Sequence, residues 1–331
     1  MDPDTSKLMS ELRKAGLSKS AIDAAWPSWW SDDIAASPSG RTELRFALAR
    51  KLGLAPKALL GERVEFVWKD TARFKHLGTE DADQQSILNS FGVSVGRLVL
   101  SATAPGPGLS EMDALGLRET ILGNRRFVDL TTLLATCWGL GVPVIQLKVF
   151  PLAAKSMHAM VVEAAGRHAI LIGRQASYPA PTAFTLAHEM GHIAANHLKG
   201  VSALIDIEDP AQATDRDTEE NEADAFGLTV LTGTTDPDIR TNVESYNAPT
   251  LANAVMQAAD EYRVEAGTLA LCLAYRSNRW RTAMSALRFI YGRPGDVGSF
   301  INTIAERELD WSLINDDAAD YLRNLMQLED A

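Results

Sequence analysis

The sequence predicts an α+β protein, mostly α, with a small antiparallel or mixed sheet packed on one buried helix and helical regions at both ends. Three observations predict that class. Apolar residues recur at three- and four-residue spacings along most of the chain. Strand-like runs are few and short, and three of them (143–150, 158–163 and 168–173) follow one another closely. The stretch behind them, Phe184-Thr185-Leu186-Ala187-His188-Glu189-Met190-Gly191-His192-Ile193, is apolar enough for a buried helix yet carries two histidines and a glutamate.

With 331 residues the chain has room for two or three domains. The expected division is a helical N-terminal region at 1–75, a central domain at 76–235 with its core at about 140–232, and a helical C-terminal region at 236–331. A net charge of −11 argues against a surface that wraps nucleic acid. Cys137 and Cys272 stand alone among apolar neighbours, so neither a disulfide framework nor a cysteine metal site is expected. The start, Met1-Asp2-Pro3-Asp4-Thr5, lacks the apolar core of a signal peptide, and no run approaches membrane-spanning length. A cytoplasmic protein is expected.

Taken in order, residues 6–25 set Leu8, Leu12, Leu17 and Ile22 at helical spacings. Trp26, Trp29 and Trp30 crowd around Pro27, which breaks any helix there; core filler is favoured over an aromatic platform. Ser37-Pro38 starts a helix with the stripe Leu44, Ala47, Leu48 and Leu52, and Gly53 ends it. Residues 56–60 give a further short helix, and 64–69 alternate like a strand. Helix returns over 79–100, a Pro-Gly linker occupies 103–108, and helices follow at 110–122 and 129–139. Residues 164–167, with Gly166, close the second and third strand runs into a hairpin, and an edge strand of such a sheet can bind an extended peptide. The segment 197–217 is acidic and irregular, with Asp206, Glu208, Asp209, Pro210, Asp215 and Asp217, and reads as a loop or a flap over a cleft. Helices at 251–262, 267–275, 280–291 and 301–322 complete the chain.

The chemistry sits in H-E-x-x-H. Residues four apart share a helix face, so His188 and His192 can offer two imidazoles to one metal ion, and Glu189 can take the proton of an attacking water. Burying these charges on an apolar helix costs too much unless something pairs them. A zinc hydrolase needs a third protein ligand and an open fourth position. The candidates lie in Thr218-Glu219-Glu220-Asn221-Glu222-Ala223-Asp224, also a helix. Glu220 and Asp224 share a face, so Glu220 can ligate while Asp224 orients a ligand histidine. Glu222 is the second choice, and Glu219 lies about 100° around the helix from Glu220. Tyr178 and His168 are candidate donors to a developing oxyanion, with a satisfied side chain as the alternative reading of each; His158 is weighed the same way. His197, five residues past His192, lies on another face and is not expected to ligate.

Phe184 to His192, followed by Glu220-Asn221-Glu222-Ala223-Asp224-Ala225-Phe226, resembles the ImmA/IrrE family of bacterial zinc metallopeptidases, and the E-x-x-x-D spacing is similar to that of the wider gluzincin group. The resemblance implies Zn²⁺, Glu220 as the third ligand, and an intracellular protease that cleaves an XRE-type helix-turn-helix repressor to release stress, mobile-element or defence genes. Ala183 and the run Leu228-Thr229-Val230-Leu231 depart from the family pattern beside the cleft and bear on substrate choice. Residues 48–61 resemble the closing helices of an XRE-type domain, but no DNA-inserting helix is recognisable upstream and residues 1–75 carry a net charge of only about +3. Protein contacts are favoured there over DNA reading. The alternatives to cleavage are a non-cleaving anti-repressor and a DNA-binding regulator.

Overall fold

The computed structural model describes residues 3–61, 63–68, 71–75, 82–153, 157–207, 217–240 and 245–328. Five helices open the chain: α1 (Pro3–Lys14), α2 (Lys19–Ala25), α3 (Asp32–Ala35), α4 (Pro38–Leu52) and α5 (Pro56–Leu60). Their ends follow local chemistry. Ser18, Ser31 and Ser37 cap α2, α3 and α4 through their hydroxyls, and Gly53 ends α4 at φ 69°. Trp26, Trp29 and Trp30 lie half-buried against the core. Then come β1 (Ala72–Lys75), α6 (Ala82–Ser101), α7 (Ala114–Leu122) and α8 (Leu130–Gly139). The sheet continues with β2 (Val144–Gln146), β3 (Ala159–Ala164) and β4 (Arg167–Ile172), followed by α9 (Pro179–Ala194), β5 (Ala203–Asp206) and α10 (Thr218–Thr232). The remainder is helical: α11 (Ala248–Tyr262), α12 (Ala266–Ser277), α13 (Trp280–Tyr291), α14 (Val297–Glu308) and α15 (Asp316–Met326). No helix among the described residues is long and apolar enough to cross a membrane.

The five strands run in the order β1-β5-β3-β4-β2. β3 is antiparallel to both β4 and β5, whereas β1 pairs parallel with β5 and β2 parallel with β4. The β3–β4 hairpin turns on Ala165 and Gly166, both at positive φ, as a two-residue turn of this twist requires. Alternation splits the side chains between two layers. Met160, Val162, Leu171 and Ile205 join a core with α1, α2, α4, α6 and α15; Val161, Ile170 and Leu204 join a second core with α7, α8, α9 and α10. The sheet is thus buried on both faces. Helices α11 to α13 close a third apolar cluster of their own.

Three expectations change. Residues 64–68 contribute only an isolated bridge, Leu54 to Phe66, and the strand lies further on, at β1. Part of the acidic segment is not a loop: β5 occupies 203–206, while Glu208, Asp209, Pro210 and Asp215 lie outside the described residues. The helix expected over 301–322 is two, because Asp310 and Asn315 accept hydrogen bonds from Ser312 and Ala318 and start a 3₁₀ turn and α15 in place of a continued α14. One sheet edge is occupied by a side chain. Asn302 of α14 accepts from the Gln146 N–H and donates to the Gln146 carbonyl, so β2 is closed to strand addition at that residue.

Candidate metal centre

α9 is buried nearly all round. Pro179 and Pro181 sit in its first turn, where missing N–H groups cost nothing, and Leu186, Ala187, Met190 and Ile193 face the second core. His188, Glu189 and His192 are each fully buried. α10 starts at Asp217, whose side chain accepts the Glu220 N–H. The two helices can touch because glycines stand at the contact. A Cβ on Gly191 would lie 2.7 Å from the Ala223 carbonyl oxygen, and one on Gly227 would lie 3.1 Å from the His188 nitrogen.

That approach brings the carboxylates of α10 to the imidazoles of α9. Glu220 Oε2 lies 3.4 Å from His188 Nε2, and Glu220 Oε1 lies 3.5 Å from His192 Nε2. The two Nε2 atoms are 3.0 Å apart. Asp206, at the end of β5, adds Oδ2 at 3.5 Å from His188 Nε2. One ligand atom from each of His188, His192, Asp206 and Glu220 lies within 4.8 Å of all the others.

Hydrogen bonds fix which ring nitrogens are bare. His188 Nδ1–H donates to Asp224 Oδ1 at 2.9 Å, leaving Nε2 with its lone pair in the neutral ring. His197 Nε2–H donates to Glu222 Oε2 at 2.9 Å; His197 Nδ1 is then an acceptor for His192 Nδ1–H at 2.9 Å, which bares His192 Nε2 as well. Two lone pairs facing each other at 3.0 Å repel unless a positive charge lies near both. In the metal-free chain that charge is a proton. Burial would lower His188, but the carboxylates of Asp206 and Glu220 outweigh it and raise its pKa to about 10. Burial and the neighbouring His188 drive His192 well below its ordinary value. Burial and the adjacent Asp206 raise Glu189 well above the carboxylate range.

The donor set suits a divalent cation. Zinc bonds of about 2.1 Å set tetrahedral ligands about 3.4 Å apart, close to the contacts that Glu220 and Asp206 make with the imidazoles. Neither oxygen of Glu189 nor of Asp206 has a hydrogen-bond partner among the described residues, although both side chains are buried. A cation beside them would offset the cost of burying their charged forms.

The other glutamates of α10 are engaged elsewhere. Glu219 pairs with Arg73 at 2.5 Å and with Lys75 at 3.0 Å, and Arg73 also donates to the His197 carbonyl. Glu222 holds His197. Tyr178 stands at the N-cap of α9, stacked on Tyr291 and ten residues before His188, which is about 15 Å of helix. His168 pairs with Glu163 toward the opposite end of the sheet from Asp206, and burial lowers its pKa. The structure brings neither Tyr178 nor His168 to the imidazoles. His158 is nearer: its Nε2 lies 2.8 Å from Thr185 Oγ1 on α9. Both line a cavity of about 650 Å³, with Phe184, Asp224, Leu228 and Met284 among its other walls.

Asp206, His197 and Lys75 were not singled out from the sequence as parts of a site. The one signal for Asp206 is the run Ala203-Leu204-Ile205-Asp206, in which strand alternation puts the acid on the same face as Leu204, toward α9.

Comparison with known families gives one match: the IrrE N-terminal-like domain, a peptidase family, over residues 140–272. The match runs from just before β2 into α12 and marks this part of the chain as metallopeptidase-like, with protein as the implied substrate class. No curated protein and no solved structure matches the chain.

Proposed function

We propose that the chain is a zinc-dependent endopeptidase. In this reading His188, His192 and Glu220 hold the ion, Glu189 is the general base and Asp224 orients His188. The observation that carries it is the convergence of two bare imidazole nitrogens and the Glu220 carboxylate at 3.0–3.5 Å, beside a buried Glu189. When bound, the ion supplies Lewis-acid chemistry: it polarises a peptide carbonyl and eases deprotonation of a water molecule. Glu189 takes that proton and passes it to the leaving amine, a shuttle that its raised proton affinity suits. Asp224 keeps the His188 ring in one tautomer, and Glu222 does the same for His192 through His197. The cavity beside Thr185 and Asp224 offers apolar walls to a substrate side chain.

We infer further that the substrate is a helix-turn-helix repressor of the XRE type, and that the regions 1–75 and 236–331 select it. The likeness of the H-E-x-x-H and E-x-x-x-D segments to the ImmA/IrrE peptidases supports this. Glu189→Gln tests the chemistry. It should retain the metal and cleave a co-expressed repressor at least ~10²-fold more slowly, the scale of a lost general base. Cleavage at the wild-type rate would remove Glu189 from the mechanism. Derepression by a variant that no longer cleaves would favour the anti-repressor reading, for which an intact general base has no use.

A further inference from the structure

We propose that Asp206 is a fourth protein ligand to the ion, so that the centre is built from two imidazoles and two carboxylates. The proposal rests on the metallopeptidase reading and adds a donor to it. The position of Asp206 is fixed by the sheet. Its backbone pairs with Lys75 of β1 and Ala159 of β3, and its carbonyl accepts the His158 N–H at 2.7 Å. The side chain therefore belongs to the α9 face that Leu204 fills with an apolar group two residues earlier. An apolar residue would satisfy packing at this place. An acid that is 1% exposed, with neither oxygen hydrogen-bonded among the described residues, has a large desolvation cost that packing alone does not offset. Its Oδ2 lies 3.5 Å from His188 Nε2, one ligand-to-ligand spacing away, and it completes the set of four mutually close donors.

Two consequences follow. Asp206 and Glu220 together neutralise a dication while both imidazoles stay neutral. Four protein donors would also complete a tetrahedron, so a hydrolytic ion here takes at least a fifth ligand. A set half made of carboxylate favours ions that accept higher coordination, such as Mn²⁺, Fe²⁺ and Co²⁺, more than a two-histidine, one-glutamate set does.

The test is Co²⁺ binding to the full-length, metal-stripped protein, followed by chelator competition and by visible absorption, in wild type, Asp206→Ala, Asp206→Asn and His188→Ala. Asp206→Ala should lose at least ~100-fold in Co²⁺ affinity, the upper end of the range for an outer-sphere partner. Its bands should move from weak five-coordinate to more intense four-coordinate ones. Asp206→Asn keeps the shape and carries the test if the alanine variant fails to fold. Unchanged affinity and bands in the Asp206 variants, with Co²⁺ binding lost in His188→Ala, would overturn the Asp206 assignment alone. Unchanged Co²⁺ binding in His188→Ala would overturn the metallopeptidase reading itself.

Discussion

His188 and His192 share one helix face and one buried centre, yet they titrate in opposite directions. The carboxylates of Asp206 and Glu220 overcome the burial penalty on His188 and hold it near 10; His192 is pushed down by its burial and by the cationic His188 beside it. Since the folded pKa of His188 lies above its ordinary 6.5, its contribution to stability is whole below about pH 6.5 and disappears as pH rises through about 10. An entering cation must displace that proton. Apparent metal affinity is therefore expected to climb with pH up to about 10. Calorimetry in buffers of different ionisation enthalpy would read the released proton; pH-independent affinity would speak against this account. His197→Ala removes the acceptor that fixes the His192 tautomer and should weaken metal binding by roughly 10–100-fold while leaving the helix intact. At this scale the sequence made His188, Glu189, His192 and the Glu220–Asp224 pair legible, because each set lies within one helical turn. It hid the His192–His197–Glu222 chain and Asp206, because those depend on two helices crossing and on strand register.

Among the elements, the contact of α9 with α10 decides whether the centre exists. Gly191→Ala would put a Cβ 2.7 Å from the Ala223 carbonyl oxygen and force α10, with Glu220, away from the imidazoles. The expected cost is about 1–3 kcal/mol in a thermal melt, with a loss of metal affinity beyond what stability explains. A second device joins β1 to α10: Lys75 Nζ reaches Asp217 at 2.6 Å, Glu219 at 3.0 Å and Glu220 at 3.5 Å. Burial tends to raise Asp217 and Glu219, and the hydrogen bonds from Lys75 overcome it and bring both below the ordinary carboxylate range. Depressed values mean stabilisation that is present above about pH 4.5 and is lost as pH falls through them. Lys75→Met should flatten that acid limb of the melting-temperature curve; an unaltered limb would show the pin to be inert. Most helices were legible from period and caps, α4 down to its Pro38 start and Gly53 stop. Strands β1 and β5 were not, since four residues are too few to show a period, and the α14–α15 break was masked by apolar spacing that continues across Asp310 and Asn315.

Across the whole molecule, the N- and C-terminal regions meet behind the sheet. Tyr321 of α15 is 1% exposed and donates its hydroxyl to the Lys51 carbonyl at 2.9 Å, while buried Lys51 reaches Asp317 at 2.8 Å. Leu12, Leu48, Phe91, Met160 and Leu322 belong to one apolar cluster, which spans residues 75 and 236 without interruption. We therefore expect residues 1–61 to be needed for the fold as well as for substrate choice. A chain lacking them would bare the apolar faces of α6 and α15 and should aggregate or bind a hydrophobic dye. A cooperative melt near the wild-type temperature would refute that.

The chain from His192 through His197 to Glu222 has one end at a fully buried ring and the other at a carboxylate that is 56% exposed. The innermost centre thus has a wire to bulk water that requires no opening of the backbone. If an ion enters as proposed, the proton it displaces has a route outward along this path.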